Sequence, residues 1–499
     1  MPPVTLPSAS LVSCRPKEIP CRPSAGRRPP ISPNSEDCSQ IELGGAAPAS
    51  SARAPDGPAT PAAISAAAPP SSIWEQSSLF GDLGGVRPAL ARVGISVGLQ
   101  ETSEGLGNVT GGTRRAIDYE GVTEMSVGLE TEAAFGWHGG TFNVSALQIH
   151  GRNLSTDALG VLDLASGIEA ERATRLWELW YQQSLFGGIA DVKIGAQSLD
   201  QEFMVSQYAG LFVNGMFGWP ALPSYDLYGG GPAYPLASPG VRLRLHPTQA
   251  VTLLAGAFAD NPSGAGFFAN AQRLDPSGTN FSLAGGVLWI AELQYARGGG
   301  PDEHAALPGT YRVGLWYDSG AFPSREYDTQ GIPLASPASS GVRQMRQGNA
   351  SAYAVIDQTV WKPEPASPRG LGLFARALGA PNDRNLIDLA ANAGLVMRAP
   401  LAGRDNDSVG IGLGYTQVGA AVSAHDRQVA LFGNNPAYPV RGAETYAELT
   451  YQVQLTPWWQ LQPDFQYVFN PGAGVPNPRN PGKRLGDEAI LGLRTVVTF

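Results

Sequence analysis

Charge is scarce in this sequence. Only 15% of its 499 residues are Asp, Glu, Lys or Arg, where a soluble protein of that length carries about a quarter. Long apolar runs are scarce as well: no stretch of about 18 residues is both apolar and free of Gly, Pro and polar interruption, so spanning helices are not supported. The nearest rival, "FMVSQYAGLFVNGMFGWPALPSY" from Phe203 to Tyr225, is broken by Gln207, Asn214, Pro220 and Pro223 and reads as an aromatic loop. Cysteine is limited to Cys14, Cys21 and Cys38, which excludes a disulfide framework or a cysteine metal site in the main body. The five histidines are scattered, and no Gly-x-Ser-x-Gly elbow or His-Glu-x-x-His pair is visible, so no catalytic residues, cofactor or metal are expected and the chain does not read as an enzyme. A net charge of -9 argues against nucleic acid as a partner.

What is abundant is glycine, 62 residues, and period-two alternation. Residues 1–72 are dominated by Pro, Ser, Ala and Arg without periodicity, the composition of a disordered extension. Of an export signal only a small-residue end, "ISAAAPPSS", is legible there. Residues 73–90 read as an N-terminal periplasmic segment, and 91–499 as one β-domain. In "TYRVGLWY", Tyr311, Val313, Leu315 and Tyr317 share one face; in "TYAELTYQVQL", Thr445, Ala447, Leu449, Tyr451, Val453 and Leu455 do so, with Gly, Ser, Gln, Glu or Arg opposite.

About sixteen such segments are expected, near 91–100, 122–135, 140–150, 173–185, 188–198, 238–246, 249–259, 283–295, 309–319, 349–361, 369–379, 387–398, 407–419, 441–455, 457–469 and 487–499. The links alternate between brief turns and long connections, the long ones including 101–121, 199–237, 320–348 and 420–440. An even number of strands, alternating link lengths and Tyr or Trp near segment ends together predict an all-β fold, a transmembrane antiparallel β-barrel.

Taking the apolar faces as lipid-facing turns a mixed set of Arg, Glu and Gln inward, including Glu132, Trp180, Gln182, Asp191, Lys193, Arg242, Arg376, Arg398 and Glu444. Those read as mid-strand, and so as constriction candidates, are Glu130, Glu178, Arg244, Glu292, Arg312, Glu448, Asp464 and Arg494. Loop 199–237 adds Tyr208, Phe212, Phe217, Trp219 and Tyr225, either as stacking platforms for a sugar or as packing against the wall. Such a set suits hydroxyl groups better than a one-signed ion filter would.

"LFGDLGGVRPALARVGI" (Leu79 to Ile95) resembles the opening of the carbohydrate-selective porins of the OprB family, with Leu83 where that family usually carries Trp. The resemblance runs on through "DQEFMVSQYAGLFVNGMFGWPALPSYDLYGGGPAYPLASPGVRLRL", "LPGTYRVGLWYDSGAF" and "ETYAELTYQVQLTPWWQLQPDFQYVFNPG". It implies a monomeric sixteen-strand channel of the bacterial outer membrane, narrowed by inward-folded loops, that passes glucose and similar small sugars by facilitated diffusion. A general or anion-preferring pore on the same barrel, and a surface protein with a plugged lumen, are the alternatives. The closing strand "LGLRTVVTF" is expected to put Leu491, Leu493, Thr495, Val497 and Phe499 against outer-membrane lipid, Arg494 into the lumen, and to pair with "RVGISVGLQ". Its terminal Phe499 resembles the tag read by the outer-membrane assembly machinery.

Overall fold

A computed structural model describes residues 72–298 and 306–499; the three cysteines and the extension read as disordered lie outside the described residues. The strands are β1 (Ile95–Thr110), β2 (Ile117–Glu130), β3 (Gly140–Gly151), β4 (Ala173–Leu185), β5 (Ala190–Gln197), β6 (Ser238–Thr248), β7 (Val251–Ala259), β8 (Val287–Arg297) and β9 (Gly309–Asp328). They continue as β10 (Arg343–Trp361), β11 (Gly370–Gly379), β12 (Ile387–Arg398), β13 (Ser408–Val418), β14 (Ala443–Thr456), β15 (Trp459–Phe469), β16 (Pro476–Asn477), β17 (Asn480–Arg484) and β18 (Glu488–Thr498). Strands β1 to β15 and β18 form one closed antiparallel barrel of neighbours in sequence, while β16 and β17 are a small hairpin inside a connection.

Alternation decides which side each residue takes. On β9, Val313, Leu315 and Tyr317 are exposed on the outer surface while Arg312, Trp316 and Asp318 are buried inside. Strands β13, β14 and β18 repeat this with Ile411, Leu413, Leu449, Leu491 and Leu493 outward. Fully burying one such Leu in an apolar surrounding is favourable by about 1.5–3 kcal/mol. Closure leaves no unpaired edge: β18 pairs with β15 on one side and β1 on the other. The polar exception in the outward row of β18, Thr495, accepts from Trp459 Nε1 at 2.9 Å and donates to the Gln460 carbonyl at 3.1 Å.

Three boundaries differ from the sequence reading. β1 runs on to Thr110, and it is Gln100–Thr110 that pairs with β18, so the connection expected over 101–121 shrinks to 111–116. Gly105, Gly107 and Asn108 look like loop residues, yet Thr102, Glu104 and Leu106 keep the inward face and the ladder overrides propensity. β9 and β10 extend likewise, leaving 329–342 of the connection expected over 320–348. β2 stops at Glu130, and the following residues form the helical turn Thr131–Phe135, capped by Gly136 at φ 80°.

The termini of the barrel meet at the end with the short links. The segment "GDLGG" turns through Gly84 and Gly85 at φ 66° and 90° into the helix Val86–Arg92. Leu79 N donates to Thr498 O at 2.8 Å, Phe499 N donates to Leu99 O at 2.9 Å, Arg87 donates to the Phe499 carbonyl, and the Phe80 and Phe499 rings lie 5.3 Å apart.

Candidate functional site

The β5–β6 connection, 198–237, folds into the barrel, and the inward side chains of the wall hold its backbone from several directions. At its start Glu178 of β4 accepts from Ser198 N at 3.0 Å and from Trp180 Nε1 at 3.2 Å. Glu202 then pairs with Lys193 of β5 and, at 2.7 Å, with Arg242 of β6, while Asp191 binds Arg242 and, at 2.7 Å, Arg244. Burial opposes the charge on Glu202, but Lys193, Arg242 and Arg244 outweigh it and hold its carboxyl down at about 2.

The chain next crosses to β8 and β10. Met204 N donates to Glu292 at 2.9 Å, and Ser206 Oγ and Gln207 N donate to Asp357 at 2.5 and 3.1 Å. Arg312 of β9 holds the same Asp357 at 2.7 Å, so a buried ion pair faces the loop. Farther on, Glu448 of β14 accepts from Val213 N and Asn214 N at 2.6 and 2.9 Å. Arg376 of β11 donates to four loop carbonyls, those of Met204, Met216, Phe217 and Gly218, at 2.7–2.9 Å. Near the loop's far end Asp226 accepts from Leu386 N at 2.6 Å. Its deep burial, only partly offset by Arg325 and these N–H groups, pushes its carboxyl up to about 8.

A second connection, 152–172, packs on the first. Glu444 of β14 accepts from Leu162 N and Asp163 N at 2.9 and 2.7 Å, and the two loops exchange backbone bonds, Gly167 N to Val213 O and Gly215 N to Leu164 O, both 2.9 Å. Hydrogen bonds to charged groups are worth about 1.5–3 kcal/mol each, so this set anchors both loops to the wall. The result is a barrel whose interior is narrowed by two anchored loops and lined by both signs of charge.

The model of the "Carbohydrate-selective porin, OprB family" matches residues 114–499. The chain belongs to the OprB family of carbohydrate-selective porins. It is 26% identical over 427 residues to porin B of Pseudomonas aeruginosa, covering 81% of this chain and 88% of that protein. To the putative porin QuiX of Acinetobacter baylyi it is 22% identical over 464 residues, covering 86% and 94%. Its fold is similar to that of Pseudomonas putida OprB at high pH, with a TM-score of 0.75 and 23% identity over 86% of this chain and all of that one.

Within this OprB-family barrel the residues singled out from the sequence separate into four groups. Glu178, Glu292, Arg312, Glu448, Asp464 and Arg494 do point inward, but they are largely occupied in holding the loops or one another: Arg494 binds Glu104 of β1, and Asp464 accepts from Gln466 at 2.9 Å. Arg244 also points inward and keeps 22% of its side chain exposed, the most of that set. Glu130 and Glu132 are not in the lumen. Because β2 ends where the helical turn begins, both sit exposed at the rim. Trp219 is no platform either: it is 1% exposed, with Nε1 donating to Gly230 O at 3.0 Å. Phe212, Phe217 and Tyr225 are buried in the same packed core, so the loop aromatics hold the loop to the wall.

Sequence reasoning missed Asp357 and Glu202. Asp357 shares the inward face of β10 with buried Tyr353 and Val355, so in "YAVIDQTVW" its strand's inner row looks apolar. Glu202 lies in irregular chain with no periodicity to mark it. What stays part-exposed in the lower lumen is a short polar ladder of Trp180, Gln182, Glu202 and Arg244, with the buried Lys193 ammonium 4.4 Å above the Trp180 ring. Across the barrel the Arg398 guanidinium lies 5.4 Å from the Tyr208 ring.

Proposed function

We propose that the chain conducts glucose-like sugars by facilitated diffusion through the loop-narrowed lumen, entering at the end with long connections and leaving into the periplasm past the Trp180–Arg244 ladder. The observation that carries this reading is the division of labour in the wall. Six buried charges of the wall, Glu178, Glu292, Asp357, Arg376, Glu444 and Glu448, grip loop backbone, and the groups left part-exposed are a planar guanidinium, a carboxylate, an amide and an aromatic face, which match hydroxyl edges and C–H faces of a sugar ring. None is strong enough alone to trap a ligand, as conduction requires.

In this reading the chain is a channel and not an enzyme. The outward Leu and Val rows contact outer-membrane lipid, residues 73–90 face the periplasm, and the β18 strand with Phe499 is what the assembly machinery reads. Liposome swelling tests transport and selectivity together. Glucose should enter faster than a zwitterionic amino acid of similar size; equal rates would replace selectivity with a general pore, and no swelling would remove transport. The basic groups at the ladder, the part-exposed Arg244 with Lys193 and Arg242 buried behind it, support the competing anion-preferring pore, for which planar-bilayer current would persist unblocked when sugar is added.

A further inference from the structure

Outside the lumen, at the mouth carrying the long connections, lies a cleft of about 320 Å³ between the top of β9, the start of β10, link 380–386 and the helix Ala420–Phe432. Glu326, Tyr327, Arg346, Asn382, Asp383 and Arg427 line it, with the methyl groups of Ala421 and Ala424 on one side. The volume is at the small end of ligand pockets, about 300–1,000 Å³, and suits a mono- or disaccharide.

The frame of this cleft is fixed while the two guanidiniums that face it are under-used. Asp426 holds Arg441 through two bonds of 2.8 Å, which ties the helix to the base of β14, and Gln428 donates to Glu326 at 2.7 Å. Arg384 holds Asp383 at 2.8 Å and Arg325 donates to the Arg384 carbonyl at 2.9 Å, which sets the link. Against this, the Nε of Arg346 is buried without a hydrogen-bond partner, the nearest carboxylate oxygen, Asp383 Oδ2, being 3.8 Å away. Arg427 makes no ion pair among the described residues. Two carboxylates and two guanidiniums leave no net charge to attract an ion, while Tyr327 and the alanine methyls supply the apolar faces a sugar ring needs.

We infer that this cleft is an external capture site for a neutral sugar, binding it at the lip before it enters the barrel. The inference rests on the sugar-porin reading above, and it adds a saturable first step that a plain pore would not have. Two variants keep the test independent of folding: Arg427→Ala removes an exposed, unpaired side chain, and Ala424→Phe fills the cleft without removing a polar group.

The measurement is a saturation-transfer NMR titration of glucose on the detergent-solubilised full chain, alongside liposome swelling. Each variant should weaken glucose binding by about fivefold or more, while Arg479→Ala, in the exposed turn of the β16–β17 hairpin and outside the cleft lining, should leave it unchanged. Unchanged binding in both cleft variants overturns the inference, and so does equal or tighter binding of glycine, which would make the cleft a zwitterion site. If the native protein swells no liposomes with any sugar, it is the transport reading that fails; if it swells them and the cleft variants bind glucose like the native chain, only the capture site fails.

Discussion

Glu104 of β1 and Glu120 of β2 are direct cross-strand partners, and both point into the lumen almost fully buried. Arg494 reaches Glu104, but neither carboxylate oxygen of Glu120 has a hydrogen-bond partner, and Glu169 of the 152–172 loop adds a third acidic group to the same neighbourhood. Like charges opposite one another across a strand pair oppose folding, and burial without partners adds to that. Glu120→Gln should therefore stabilise the barrel by about 1 kcal/mol or more. Glu104→Gln should destabilise it, because Arg494 loses its carboxylate. Urea unfolding followed by tryptophan fluorescence reads both; a loss of stability in the Glu120 variant would contradict the argument.

Arg376 satisfies four carbonyls of one loop from a single side chain. Arg376→Met leaves those acceptors buried and unpaired, at a cost of about 3–5 kcal/mol, and should loosen the 198–237 loop so that larger solutes enter liposomes and proteases cut within it. Arg376→Lys should not restore the wild type, since a single ammonium cannot present the same planar fork. An unaltered size limit in both variants would show that the loop does not depend on this anchor.

The burial-raised carboxyl of Asp226, at about 8, sets a pH dependence with a definite sign. A carboxyl raised above its unfolded value near 4 favours the folded state when protonated, so its contribution is present at low pH and is lost as pH rises from about 4 to about 8. The thermal midpoint should fall across that window, and Asp226→Asn, which keeps an acceptor for Leu386 N and Ile387 N, should flatten the slope. Glu202 works in the opposite sense, lying near 2, so its hold on Lys193 and Arg242 is lost only in strong acid. A midpoint that rises between pH 5 and pH 8, or an Asn variant with the native slope, would refute this.

Removing Phe499 deletes a backbone bond to Leu99, the carbonyl that Arg87 binds, and a ring contact with Phe80. The expected outcome is a lower yield of heat-modifiable barrel in outer membranes with the glucose-to-amino-acid swelling ratio unchanged. A normal yield with an altered ratio would place Phe499 in selectivity and not in assembly.

Period-two alternation made the barrel legible because an apolar outer face and a polar interior sort every second side chain, and β4 and β12 fall on the very residues expected of them. It was blind at the ends of β1, β9 and β10, where Gly, Asn and Ser carry no face and pairing alone decides the boundary. It pointed Glu448 and Arg494 inward correctly, yet could not say what they would meet, since Glu448 binds backbone N–H groups of a loop and Arg494 binds Glu104 of β1, each more than 200 positions away in sequence. Trp219 shows the same gap from the other side: an aromatic in an irregular loop looks identical whether it faces a sugar or its own fold.

Anchoring through main-chain atoms has an evolutionary side. Glu448, Glu292 and Arg376 grip N–H and C=O groups that every residue carries, so they are indifferent to which side chains the loop displays. A lineage can therefore rewrite the inner lining residue by residue, with the scaffold acting as a fixed socket for interchangeable inserts. Changes in the insert would then alter what surrounds the ladder, while its wall members Trp180, Gln182 and Arg244 stay in place.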